Sequence, residues 1–263
     1  MSKMFNKNIM LNNISFLISK YDKKIGELEA EAGVSTGYIS RISNDEKAKP
    51  GIDFVVNVAK LLNVSLDVLL YIELAGLTPT EEYLVSFLEK LGRDTMGDKL
   101  DWDIETKEKL RCIEADINGY SEHPLFNLKT FYEEDENGFP EEVSRVVFTS
   151  RSFGYGTVID EDCFNLRLKN GSMLYVMSIV KNVHRVNDKN AFAKEIWIQL
   201  QGTEPKYLVG NKDAPKLAFL VDNVYETIRE RMKHPRLKSD VKYVLDAFMD
   251  DDLSDDNFED VPF

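Results

Sequence analysis

Residues 23–44 read KKIGELEAEAGVSTGYISRISN, and the rest of the chain is organised around them. Ile25, Leu28 and Ala32 recur at helical spacing, with Glu29 beside them. Gly33 breaks that helix, and Val34 is apolar. Ser35 is placed to cap a second helix, because its hydroxyl can accept a backbone N–H left free at a helix start. The second helix is expected to turn Ile39 and Ile42 inward and Thr36, Gly37, Ser40 and Arg41 outward. Two short helices around a glycine turn, the second with small polar outward residues, have the layout of a helix-turn-helix reader. Small residues let such a helix sit deep in a DNA major groove, where Arg41 would reach a guanine edge or a phosphate.

The flanks extend this to five helices. Residues 8–21 place Ile9, Leu11, Ile14, Leu17 and Ile18 along one side. A polar loop over 43–51 ends in Pro50–Gly51, a break. Residues 52–62 are apolar at Ile52, Val55, Val58, Ala59 and Leu62. Ser65 is a good cap for a helix over 66–75, where Leu66 and Leu69 are expected to close the core.

The pieces ELEAEAGVS, YISRIS and VAKLLNVSLDVLL together resemble the Cro/CI-type (XRE family) helix-turn-helix regulators over roughly residues 8–70. The resemblance implies an all-α, lambda-repressor-like N-terminal domain over residues 1–74. It implies base-facing roles for Thr36, Gly37, Ser40 and Arg41. It implies phosphate contacts from Lys23, Lys24, Ser35, Tyr38, Lys47 and Lys49. Ile25 stands where that family often carries a DNA-contacting glutamine, and Gly37 offers no side chain. The bland alternative is a small helical core that binds protein.

Charge is partitioned. The chain of 263 residues has a net charge of −13. Residues 1–70 hold 9 basic and 8 acidic side chains, so the excess of acid lies beyond them. A near-neutral reader binds weakly as a monomer, since phosphate contacts supply most of the affinity. A homodimer on an operator of double-stranded DNA, with readers ~34 Å apart, is therefore expected. No apolar run is long enough to span a bilayer and the start has no signal-peptide core, so a cytoplasmic location is expected. Cys112 and Cys163 lie far apart and read as buried thiols, and His123, His184 and His234 are isolated, so neither metal nor cofactor is expected.

Beyond the reader, Gly76 and Thr78–Pro79 mark a hinge. Residues 75–127 read as a helical connector or a dimerisation arm: a helix over 80–91 with Tyr83, Leu84, Phe87, Leu88 and Leu91 on a stripe, a loop over 92–101, and a helix over 104–117. The period then changes. Strands are expected at 129–132, 143–150, 156–159, 164–168, 173–181, 195–200 and 206–209. Turn signals at 136–138, 169–171 and 201–202 point to hairpins and an antiparallel sheet. Helices over 214–234 and 237–249 complete an α+β domain over 128–249, so the whole chain reads as α+β.

No enzyme chemistry stands out. Self-cleaving repressors of the SOS type have a Ser–Met pair and an Ala–Gly cleavage bond, and this chain has Ser172–Met173 and Ala75–Gly76. Tyr175 stands where that family has proline, and no lysine sits in an apolar strand downstream, so Asn170–Gly171–Ser172 reads more simply as a hairpin turn. Another alternative is an antitoxin or immunity-type protein that masks a partner. Phe148, Phe153, Tyr155, Phe164, Tyr175 and Trp197 read as sheet core rather than as a ligand pocket.

Residues 250–263 read DDDLSDDNFEDVPF, with 7 acidic residues and no basic one. A disordered solubilising tail is the plain reading. The ending resembles the acidic tip of bacterial single-stranded-DNA-binding proteins. That resemblance implies a partner-docking segment in which Asp255, Asp256, Glu259 and Asp260 meet a basic rim while Pro262 and Phe263 enter an apolar pocket. A fold-back onto the basic side of the reader is the third option.

Overall fold

The computed structural model describes residues 5–110, 126–134, 137–150, 154–181, 188–201 and 203–233, with positions 245 and 248 besides. Five helices come first: α1 (Lys7–Lys20), α2 (Ile25–Glu31), α3 (Tyr38–Asn44), α4 (Ile52–Leu61) and α5 (Leu66–Tyr71). Their interior holds Met10, Ile14, Leu28, Val58, Leu62 and Leu69, all almost fully buried. Ser65 caps α5, its side chain accepting from the N–H of Val68. Asn13 is fully buried in α1. Its amide donates to the carbonyls of Val68, Leu69 and Ile72 at 3.2, 3.0 and 2.6 Å, and its oxygen accepts from the N–H of Leu74 at 3.0 Å. One side chain thus satisfies the carbonyls that the end of α5 leaves free.

Some expected core positions turn outward. Ile52 is 70 % exposed and Ile25 48 %. Both stand at the first position of a short helix, before the face that meets the core begins. Leu66 is also exposed, and Val68 fills the core in its place.

Helix α6 (Pro79–Met96) starts at a capping box, with Thr78 and Glu81 each accepting from the other's N–H. It runs on to Met96, through the first half of the stretch 92–101 that reads as a loop. Leu91 and Thr95 are buried, and Gly92 lies close to Val224, so packing sustains helix where composition looks polar. The expected helix over 104–117 is replaced at its start by strand β1 (Trp102–Glu105). There Trp102 and Ile104 alternate with Asp103 and Glu105. Residues 107–110 are helical, and 111–117 lie outside the described residues.

Strands β2 (Phe126–Glu134), β3 (Pro140–Ser150), β4 (Gly154–Arg167), β5 (Met173–Val180), β6 (Ala193–Gln199) and β7 (Lys206–Gly210) form an antiparallel sheet in sequential order, and β1 also pairs with β4. The strands expected at 156–159 and 164–168 are one strand. The acidic Asp160–Glu161–Asp162 reads as a break but falls at an irregularity between Ile159 and Cys163, with β5 paired on both sides of it. Along one flank, β4 pairs with β3 through its first half and with β1 at Cys163–Leu166. The expected hairpin at 169–171 is present, with Gly171 at φ 80° and its N–H bonded to the carbonyl of Leu168.

Helix α7 (Ala218–Lys233) packs between α6 and one sheet face. It begins four residues later than expected, after turns over 211–217. The core is continuous across these layers: Met10, Leu69, Leu88, Phe164, Val176 and Ile228 belong to one buried cluster. The opposite sheet face carries Phe126, Phe148, Tyr175 and Trp197, whose rings meet tilted or edge-on with centroids 5.0–5.7 Å apart. Cys163 is buried beside them, and its thiol pKa is pushed up by burial. Of the aromatic residues singled out in the sequence, Phe148, Phe164, Tyr175 and Trp197 are core; Phe153 and the side chain of Tyr155 lie outside the described residues. Cys112, the three histidines and the tail 250–263 also lie outside them, as does the expected helix over 237–249 apart from positions 245 and 248.

Candidate nucleic-acid interface

The turn between α2 and α3 is built by two glycines and a buried acid. Gly33, at φ 77°, lets the chain leave α2, and the N–H of Val34 returns to the carbonyl of Glu29 at 3.0 Å. Gly37, at φ 80°, turns the chain into α3. Ser35 is therefore not the cap of α3. Helix α3 begins at Tyr38, so Ser35, Thr36 and Gly37 all lie in the turn before it. The cap comes from a distance: the Glu29 carboxylate accepts from the N–H of Gly37 at 2.7 Å and of Ile39 at 2.8 Å. Glu29 is 1 % exposed, so these charge-assisted bonds form away from water.

The far end of α3 is tied as well. Lys7 donates to the carbonyls of Ile42 at 2.9 Å and Asp45 at 2.7 Å. A cation at these carbonyls suits the negative end of the helix. Ile39 and Ile42 point into the core. The orientation of α3 is thus fixed at its start by Glu29, at its end by Lys7, and along its length by two isoleucines.

Thr36, Ser40 and Arg41 are exposed. Arg41 donates to the Ser35 hydroxyl across the turn. Asn44 is exposed one turn beyond Ser40, with its amide 3.5 Å from the Ser40 hydroxyl. Asn44 and the supports Glu29 and Lys7 were not singled out as site residues from sequence. The i, i+4 spacing of Ser40 and Asn44 and the acid amid apolar positions at 28 and 32 were the available signals.

The remaining candidates differ in setting. Tyr38 is half-buried, its ring 4.8 Å from Phe54 and its hydroxyl accepting from the N–H of Gly51 at 3.1 Å, so it holds the loop before α4. Lys23 leans toward α4, 3.5 Å from the carbonyl of Leu61 and 3.8 Å from Glu31. Lys24 is largely exposed, at the outer limit of an ion pair with Glu27. Lys47 and Lys49 are exposed in the loop after α3, and their ammonium groups make no ion pair among the described residues.

No helix of the described residues is long and apolar enough to cross a membrane. No group of metal-ligating side chains occurs among them either. Residues 20–69 match the family model described as helix-turn-helix. No curated protein matches the chain, and no solved structure does. The matched residues take in α2, the turn and α3, together with α4 and the first four residues of α5. Over residues 20–69 the chain is thus similar to helix-turn-helix domains of the XRE type, a similarity that supports DNA binding by these residues.

Proposed function

We propose that the chain is a transcriptional repressor of phage or mobile-element type that binds an operator as a dimer. The observation that carries this is the α2–turn–α3 unit: Ser40 and Arg41 stand exposed on a short helix whose two ends are anchored from outside it, and Thr36 is exposed in the turn before that helix. Thr36, Gly37, Ser40 and Arg41 face the bases, joined by Asn44. Lys24, Ser35, Lys47 and Lys49 meet phosphates, while Lys23 and Tyr38 serve mainly to hold the reader in shape. In the same reading, residues 1–74 form the reader, 75–127 connect it, 128–249 supply dimerisation or sense a signal, and 250–263 dock a protein partner through Asp255, Asp256, Glu259, Asp260, Pro262 and Phe263.

Footprinting of the full chain on the DNA upstream of its own coding sequence tests the proposal. A protected, two-fold symmetric site is expected. Uniform weak protection that does not depend on sequence would overturn it.

A further inference from the structure

A half-open cavity of about 550 Å³ lies where helices α4 and α5 of the reader meet α6 and α7. That volume suits a small organic ligand. Its apolar lining includes Val64, Leu88, Leu220 and Val224, drawn from the α4–α5 turn, α6 and α7. The charged groups are sorted by depth. Asp67 and Glu89 are half-buried, whereas Lys60 and Arg93 are exposed at the rim.

Each inner carboxylate uses only one oxygen on the protein. Asp67 Oδ2 accepts from the Asn223 amide at 2.9 Å, and Glu89 Oε1 accepts from the N–H of Ser65 at 2.9 Å. Asp67 Oδ1 and Glu89 Oε2 have no hydrogen-bond donor among the described residues. Burial, and the charge of Glu89 nearby, hold the Asp67 carboxyl above its ordinary pKa, although the Asn223 bond works the other way. Two carboxylates that repel each other over an apolar wall, each with a spare oxygen, are complementary to a cation with an apolar body.

We propose that this cavity binds a small organic ammonium ion, its nitrogen between Asp67 and Glu89 and its apolar part against Val64, Leu88, Leu220 and Val224. Such a ligand touches the reader and α7 at once, and so gives a signal a physical route to α4 and α5. Binding is a property of the free protein and does not depend on the DNA-binding reading.

Calorimetric titration of the full chain with phenethylammonium chloride, and in parallel with 3-phenylpropionate, tests this without DNA. Saturable binding of the amine is expected, with the anion at least about tenfold weaker, as one lost charge-assisted contact implies. Asp67→Asn and Glu89→Gln each keep the oxygen that accepts from Asn223 or Ser65, so the fold should survive, as circular dichroism would verify. Each should weaken the amine about fivefold or more. Absence of saturable binding, equal binding of the two probes, or amine binding unchanged in both folded variants would overturn the proposal. Any of these results would leave a footprint on DNA untouched, so this proposal and the repressor reading fail separately.

Discussion

Glu29 sits between α2 and the start of α3, out of water, with one oxygen on each of two backbone N–H groups. Glu29→Ala would leave both N–H groups with no acceptor from that side chain. The cost should be about 2–3 kcal/mol of unfolding free energy, read by chemical denaturation, with weaker DNA binding in parallel. Arg41→Ala should behave differently. Its side chain is exposed, so the melting temperature should hold while binding to the preferred duplex falls about tenfold or more and discrimination narrows. A gel-shift series on matched and scrambled duplexes separates the two effects. At this scale the exposure of Ser40 and Arg41 was readable, since polarity at outward helical positions is a direct signal. It misled at Ser35, because a serine before a helix looks like a cap until a more distant carboxylate is seen to have taken the place.

Helix α1 gains its position from a polar group as much as from its apolar face. Asn13→Leu would keep the branched shape, in a somewhat larger side chain, but strip four hydrogen bonds from the end of α5 and the N–H of Leu74. A loss of about 2–4 kcal/mol is expected, measurable as a lower denaturation midpoint at unchanged slope. Helices and central strands were legible because their apolar periods run long, as in α1 and β5. Elements decided by tertiary packing were not. The end of α6 passes through Gly92 because α7 lies against it, and β1 is four residues long with strand character only in alternation with its acids. In β4 the acidic 160–162 triplet outweighed the pairing that keeps the strand whole, and pairing partners are invisible to a local window.

Across the whole molecule, pH should act through carboxylates held in opposite senses. Glu133 receives two bonds of 2.6 Å from the Arg145 guanidinium, which hold its pKa below the usual 4.5. A carboxylate depressed in the folded state adds stability above that value and loses it as pH falls through the folded pKa. Glu133→Gln should therefore reduce the difference in melting temperature between about pH 6 and about pH 3. Asp67 is shifted the other way, so its ionisation costs stability as pH rises above the ordinary 3.8, and Asp67→Asn should relieve that cost near neutrality. The architecture as a whole, α+β with an antiparallel sheet, followed from the change of period near residue 128. The cavity did not, since its walls come from segments more than a hundred residues apart.

The buried cluster that runs from Met10 through Leu88 to Ile228 has a thermodynamic corollary. Heat should be taken up in one calorimetric peak rather than two, because neither layer can melt without wetting the other. A trimmed version carrying only the first helices would bare the side chains that now meet the later layers, and would be expected to clump or melt early. Damage at Val224 or Ile228, nowhere near α3, should therefore surface as a loss of grip on DNA.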